Sequence, residues 1–234
     1  VSDEGKKEFH TSVRDLVEFI FREGDIDNRR GRMQSAEAMQ EGSRMHRKVQ
    51  AEQGEQYMAE VPLAVTLDLG AYSLVIEGRA DGIFTVCEDK ELTFIDEIKG
   101  MYMDVTRLEA PIFVHQAQAM CYAYIFATDN ALSDIGIQMT YCNLDEENER
   151  KIFREIYPYS DLKRWFDELV ASYRRWLDFR YEWRIVRQAS IRKLEFPYEY
   201  RKGQHQLVGD VYRTIARRKN LFIQAPTGVG KTIS

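Results

Sequence analysis

The sequence predicts an α/β fold in which a mixed sheet carries helices on its faces. Two observations predict it. Segments with helical apolar spacing alternate with short β-branched and aromatic runs in the order helix, helix, strands, helix, strands, helix. The composition, 44% hydrophobic with 12% aromatic over 234 residues, is enough to fill one large core.

The elements follow in order. Residues 10–22 place Val13, Leu16, Val17 and Ile20 on one helical face, with Thr11 or Ser12 as the cap. Gly24 to Asn28 reads as a turn, and residues 32–53 as a polar second helix. Strands are expected over 59–67 and 72–77, joined around Asp68-Leu69-Gly70, and then over 83–86 and 92–98, parted by the charged turn 88–91. Residues 107–126 read as a helix with Pro111 near its start, where proline is tolerated. A strand pair at 135–141 and 151–156 precedes a long helix over 161–192, and Phe196-Pro197-Tyr198 breaks the pattern. No internal repeat or low-complexity segment is evident.

Composition narrows the class. No apolar run reaches the roughly 18 residues that span a bilayer, and no cleavable leader is visible. Cys87, Cys121 and Cys142 lack CxxC spacing, which suits small apolar side chains in a reducing compartment. The expectation is a soluble cytoplasmic protein with no membrane partner. A net charge of −5 does not advertise a nucleic-acid binder, although residues 161–193 carry nine Lys or Arg against five Asp or Glu. That stretch reads as an ordinary solvated helix or as a DNA-tracking face.

The chemistry concentrates in Glu77-Gly-Arg-Ala-Asp81 and, sixteen residues on, Glu97-Ile-Lys99. Residues i and i+2 of a strand share a face, so Glu97 and Lys99 point the same way. Paired carboxylates bind hard cations such as Mg²⁺ through oxygen, and a lysine beside them can orient a water or neutralise a phosphate. Charged residues are mostly surface residues. Asp96 and Glu97, however, end an apolar strand, where acids are unfavourable unless paired or metal-bound. His46 could add a nitrogen ligand, although a lone helical His is more often a surface residue. His115, Gln118 and Tyr122 fall on one stripe of an otherwise apolar helix, facing either a site or a core.

In order, His46, the Asp81 stretch, Ile-Asp-Glu97-Ile-Lys99-Gly and Gln118-Ala-Met-Cys-Tyr122 resemble the PD-(D/E)xK nuclease superfamily, and more closely its RecB-like branch. The resemblance covers about residues 10–190. It implies a restriction-endonuclease-like mixed central sheet, with Mg²⁺ or Mn²⁺ held by His46, Asp81, Glu97 and the backbone carbonyl of Ile98. It further implies that Asp81, Glu97 and Lys99 are catalytic, with Lys99 positioning the water, and that Gln118 and Tyr122 touch substrate or support the site. Glu77 is a possible outer partner. Several members of the branch hold an iron–sulfur cluster on four cysteines. Three cysteines cannot hold such a cluster, and none is expected here.

Ala225-Pro-Thr-Gly228-Val-Gly230-Lys231-Thr232 fits a P-loop with Ala at its first glycine, after the apolar run Asn220 to Gln224 read as a strand. Tyr200-Arg-Lys-Gly-Gln204 precedes a helical stretch from His205 to Arg218. Together they resemble the start of a DinG/XPD-type superfamily-two DNA helicase, with Gln204 reading adenine and Gly228, Gly230, Lys231 and Thr232 cradling phosphate. The expected organisation is a nuclease domain over 1–194 and a truncated helicase start over 195–234. The sequence stops two residues past Thr232, so no ATPase activity is expected of this piece and ATP would serve only the full-length helicase. The functional expectation is a Mg²⁺- or Mn²⁺-dependent DNA exonuclease acting on single strands or ends, in a DNA repair helicase whose motor is its partner. The alternatives are an inactive nuclease-fold domain that binds DNA or a partner, and an ATP-binding module whose acids form only salt bridges.

Overall fold

The computed structural model describes residues 6–23, 36–54, 56–87, 90–146, 149–195 and 197–224. Its elements are β1 (Lys7–Ser12), α1 (Val13–Phe21), α2 (Ala36–Ala51), β2 (Met58–Asp68), β3 (Tyr72–Cys87), β4 (Glu91–Met101), a 3₁₀ turn (Val105–Arg107), α3 (Phe113–Asp129), β5 (Asp134–Asn143), β6 (Arg150–Pro158), α4 (Tyr159–Ile191) and α5 (Gln204–Ala216). The chain divides into two compact units, Val1–Arg180 and Tyr181–Ser234, with the boundary inside α4. Among the described residues no helix is long and apolar enough to cross a membrane.

The first unit is a six-stranded mixed sheet in the order β1-β3-β4-β5-β6, with β2 also paired to β3. β1–β3 and β4–β5 are parallel, and the other pairs are antiparallel. Parallel neighbours need a long crossover, which α3 supplies between β4 and β5. Its alanines at 117, 119, 123 and 127, all buried, let it lie close on the sheet. The mixed sheet flanked by helices is the predicted class and is consistent with a restriction-endonuclease-like architecture.

Several boundaries differ from the sequence reading for identifiable reasons. Ser12 caps α1 by accepting from the Asp15 amide at 2.9 Å, as the helical spacing suggested. The residues before it form β1, however, which carries a single buried apolar residue, Phe9, and so gives no alternation to read. α3 begins at Phe113, after the 3₁₀ turn and Pro111, because the residue before a proline disfavours the helical region. The segments 72–77 and 83–86 are one continuous strand. The residues between them belong to it, and Gly78, Arg79 and Ala80 are paired to β2 on one edge. The turn at Gly24 to Asn28 and part of that at 88–91 lie outside the described residues. The run Asn220 to Gln224 is not a strand: among the described residues no neighbour offers it a ladder, and Phe222 stands 95% exposed.

Candidate metal and phosphodiester site

The candidate site lies where β3 changes partners. On one edge β3 pairs with β2 from Ser73 to Ile83. Its other edge pairs with β1 over Tyr72 to Glu77 and with β4 from Gly82 onward. Gly78, Arg79, Ala80 and Asp81 lie between those two pairings. β4 leaves β3 at Asp96, so Glu97, Ile98 and Lys99 pair with β5 alone. A fork of this kind frees backbone groups that must find other partners.

The side chains singled out from sequence fill those vacancies. Asp81 Oδ2 accepts from the Ile98 amide at 2.7 Å, bridging the fork from β3 to β4. Tyr122, on α3, meets the Arg79 main chain and the Gln118 side chain through its hydroxyl. A Cβ on Gly78 would stand 2.5 Å from that hydroxyl, so glycine is required there. Gln118 Oε1 accepts from Lys99 Nζ at 3.1 Å, and Lys99 Nζ donates to Glu97 Oε1 at 2.7 Å. From α2, His46 Nδ1 stands 3.4 Å from Asp81 Oδ1. Met45 and Val49 anchor that helix on Ile98, Cys142 and Leu144. His46, Asp81, Glu97, Ile98, Lys99, Gln118 and Tyr122 are thus brought together at one end of the sheet.

The electrostatics of the site are unusual. Glu97 is buried, and its Oε2 has no hydrogen-bond partner among the described residues. Burial, then the charge of Asp81, pushes the Glu97 carboxyl up to about 8, against the opposing pull of Lys99 and His46. Burial alone would lower the His46 imidazole, but its hydrogen bond to Asp81 and the charges of Asp81 and Glu97 hold it above its ordinary value. His115 points elsewhere: it lies 3.4 Å from the Tyr141 hydroxyl, and burial, with Lys99 and Arg14 nearby, pushes it down to about 4. Glu77 is not gathered into the site. Its carboxylate is exposed and stands 3.9 Å from His10 Nδ1.

Whether these residues suit a divalent cation rests on two observations. As the side chains stand, no three His, Cys, Asp or Glu groups among the described residues converge closely enough to hold a metal. Asp81 is turned to the Ile98 amide and Glu97 to Lys99. Against that, Glu97 Oε2 is buried without a partner among the described residues, and the carboxylate and imidazole groups beside it are donor types that Mg²⁺ or Mn²⁺ take. The donor types fit the ion, although the side chains as they stand do not converge on one point.

Sequence reading missed Gln50. Gln50 lies one turn after His46 on α2, and its Nε2 donates to the Asp81 carbonyl at 2.9 Å and to Glu60 Oε1 at 3.0 Å. The i, i+4 spacing from His46 was the available signal. Asp96, expected to need a partner or a metal, is fully buried on the other side of β4 and is paired there by donation from Tyr57 and Thr140. In the second unit, Gln204 opens α5 and its Oε1 accepts from the Arg201 amide at 3.1 Å. Gly228, Gly230, Lys231 and Thr232 lie outside the described residues. Cys87, Cys121 and Cys142 are free thiols.

No protein-family model matches the chain, and no curated protein matches it. Among solved structures the crystal structure of SSO0001 is similar, at 18% identity with a TM-score of 0.44 over 72% of this chain and 78% of that one. A likeness at that level assigns no function, which rests on the residues of the site.

Proposed function

We propose that the chain is a metal-dependent nuclease that hydrolyses phosphodiester bonds in DNA, acting on single strands or ends. The observation that carries this reading is Glu97: a buried carboxylate with one oxygen bonded to Lys99 and the other without a partner among the described residues, beside Asp81 and His46 at a sheet fork. Asp81, Glu97, His46 and the Ile98 carbonyl would hold Mg²⁺ or Mn²⁺, which when bound supplies Lewis acidity and an activated water. Lys99 is the cationic side chain of the site, held by Glu97 and Gln118. Its ammonium would orient the attacking water or offset charge on the phosphate. Gln118 limits where Lys99 can go, and Tyr122 fixes Gln118 by its contact with the Arg79 backbone.

The test is cleavage of end-labelled single- and double-stranded oligonucleotides with Mn²⁺, for the parent chain and for Glu97→Ala and Lys99→Ala. Loss of cleavage in both variants supports the reading, and activity that survives either one refutes the assignment.

A second reading has its own support. The closed Lys99–Glu97 pair and the lack of three converging ligand groups among the described residues suit an inactive nuclease-fold domain that binds DNA or a partner. It predicts oligonucleotide binding without Mn²⁺-dependent cleavage. The P-loop resemblance of residues 225–232 adds the proposal that the site works beside a helicase motor, which would use ATP and deliver a strand to it.

A further inference from the structure

We propose that Gln50 and Glu60 form a clamp that positions Asp81, and that this clamp tunes the affinity of the site for its cation. The inference rests on the metal-site reading above and extends it to residues that touch neither metal nor substrate.

The β2–β3 ladder pairs Ala59 with Gly82 and Val61 with Ala80, and it skips the pair between them, Glu60 and Asp81. At the skip Glu60 holds a φ of 56°, a left-handed conformation unfavourable to a residue with a Cβ. Strain of that kind persists only where surrounding contacts hold it. Here Gln50 Nε2 donates both to Glu60 Oε1, at 3.0 Å, and to the Asp81 carbonyl, at 2.9 Å, while Arg79 stands 3.4 Å from the other Glu60 oxygen. One amide group of α2 therefore takes the carbonyl released at the skip and ties down the strained residue beside it.

The consequence reaches the carboxylate. Gln50 and His46 are one helical turn apart on α2, so the same face of one helix grips Asp81 at two points. Gln50 holds the main chain, and His46 stands at the side chain. With the Asp81 backbone fixed, its Oδ2 reaches the Ile98 amide and its Oδ1 faces His46. Gln50 and Glu60 are positioning residues, and outer partners of this kind typically shift metal affinity by about 10- to 100-fold.

The experiment uses the 234-residue chain, its Gln50→Ala and Glu60→Gly variants, and Gln53→Ala as a nearby control. Mn²⁺ affinity is measured by calorimetry, and exchange of the Ile98 amide is measured by NMR in metal-free protein. Both clamp variants are expected to bind Mn²⁺ about tenfold more weakly and to exchange Ile98 faster, with Ile95 unchanged and Gln53→Ala like the parent. Glu60→Gly removes the backbone strain, so its thermal midpoint is expected at or above the parent's even as affinity falls, which a merely structural role would not produce. Unchanged Ile98 exchange in both variants would overturn the clamp. Faster exchange with unaltered Mn²⁺ affinity would overturn its role in tuning the metal. If the parent chain binds no Mn²⁺, the metal reading fails, and Ile98 exchange alone decides whether the clamp exists.

Discussion

Asp96 and Glu97 are consecutive, both buried, and opposite in how β4 treats them. On one side of the strand, Asp96 accepts from the Tyr57 hydroxyl at 2.9 Å and from Thr140 at 2.7 Å. Thr140 accepts in turn from Gln138, and Gln138 from Arg154, whose guanidinium lies over the rings of Phe84 and Phe94. On the other side, Glu97 has Lys99 on one oxygen and, among the described residues, nothing on the second. A buried acid with its acceptors filled is a structural tie between strands. A buried acid left half-filled is unfavourable as an anion and is relieved by a proton or by a further ligand, so within two residues the strand carries one acid that ties strands and one that the proposed function uses.

The largest expected effect that sharpens the contrast is on activity. Glu97→Ala and Lys99→Ala should each lower Mn²⁺-dependent cleavage by about 10²- to 10⁴-fold, with far-UV circular dichroism unchanged. Asp96→Asn, which keeps the side-chain shape, should leave most of that activity in the same assay. Equal losses at 96 and 97 would break the distinction.

The next effect is on stability and runs the other way. Asp96→Ala strands the Tyr57 hydroxyl and empties space in the core, so urea unfolding should show a loss of about 2–4 kcal/mol. Glu97→Gln removes an acid that burial disfavours as an anion and should change stability little, or raise it, at pH 8.

The pH dependence follows from the same acid. The folded-state Glu97 carboxyl lies near 8 against an ordinary 4.5, so the folded metal-free protein binds a proton that the unfolded chain has released. Its stabilising contribution is complete below 4.5 and is lost as pH rises through about 8. Thermal midpoints without metal should therefore fall across that window, and the fall should be absent in Glu97→Gln. Mn²⁺ competes with the same proton, so its affinity should rise with pH and level off above 8.

The smallest effects concern the glycines that admit the two tyrosines. A Cβ on Gly82 would meet the Tyr57 hydroxyl at 1.8 Å, and one on Gly78 the Tyr122 hydroxyl at 2.5 Å. Gly82→Ala should displace Tyr57 from Asp96 and lower stability by about 1–3 kcal/mol. Gly78→Ala should act mainly on cleavage, through Tyr122, Gln118 and Lys99.

Much of this was legible in the sequence where periodicity carries the signal. The capped α1 follows from apolar spacing, and the strand pair β5 and β6 and the long α4 lie close to where the sequence reading placed them. The grouping of the candidate residues was legible as motifs, since Glu97 and Lys99 must share a face two residues apart. What was hidden depends on partners far along the chain. β1 has too few apolar residues to show alternation and exists through its pairing with β3. Asp81 lies inside one long strand, because β1 and β4 succeed each other along a single edge of β3. Gln50 looked like any polar residue of a polar helix until the skipped Glu60–Asp81 pair gave it a carbonyl to hold.

The most direct test of Glu97 as the acid kept ready for a cation is anomalous diffraction from crystals soaked in Mn²⁺ at pH 8. The account predicts a single strong peak among His46, Asp81 and Glu97, with Lys99 swung away from Glu97, and no peak in Glu97→Gln. A soaked parent crystal without a peak there, and with Lys99 still closed on Glu97, would contradict it.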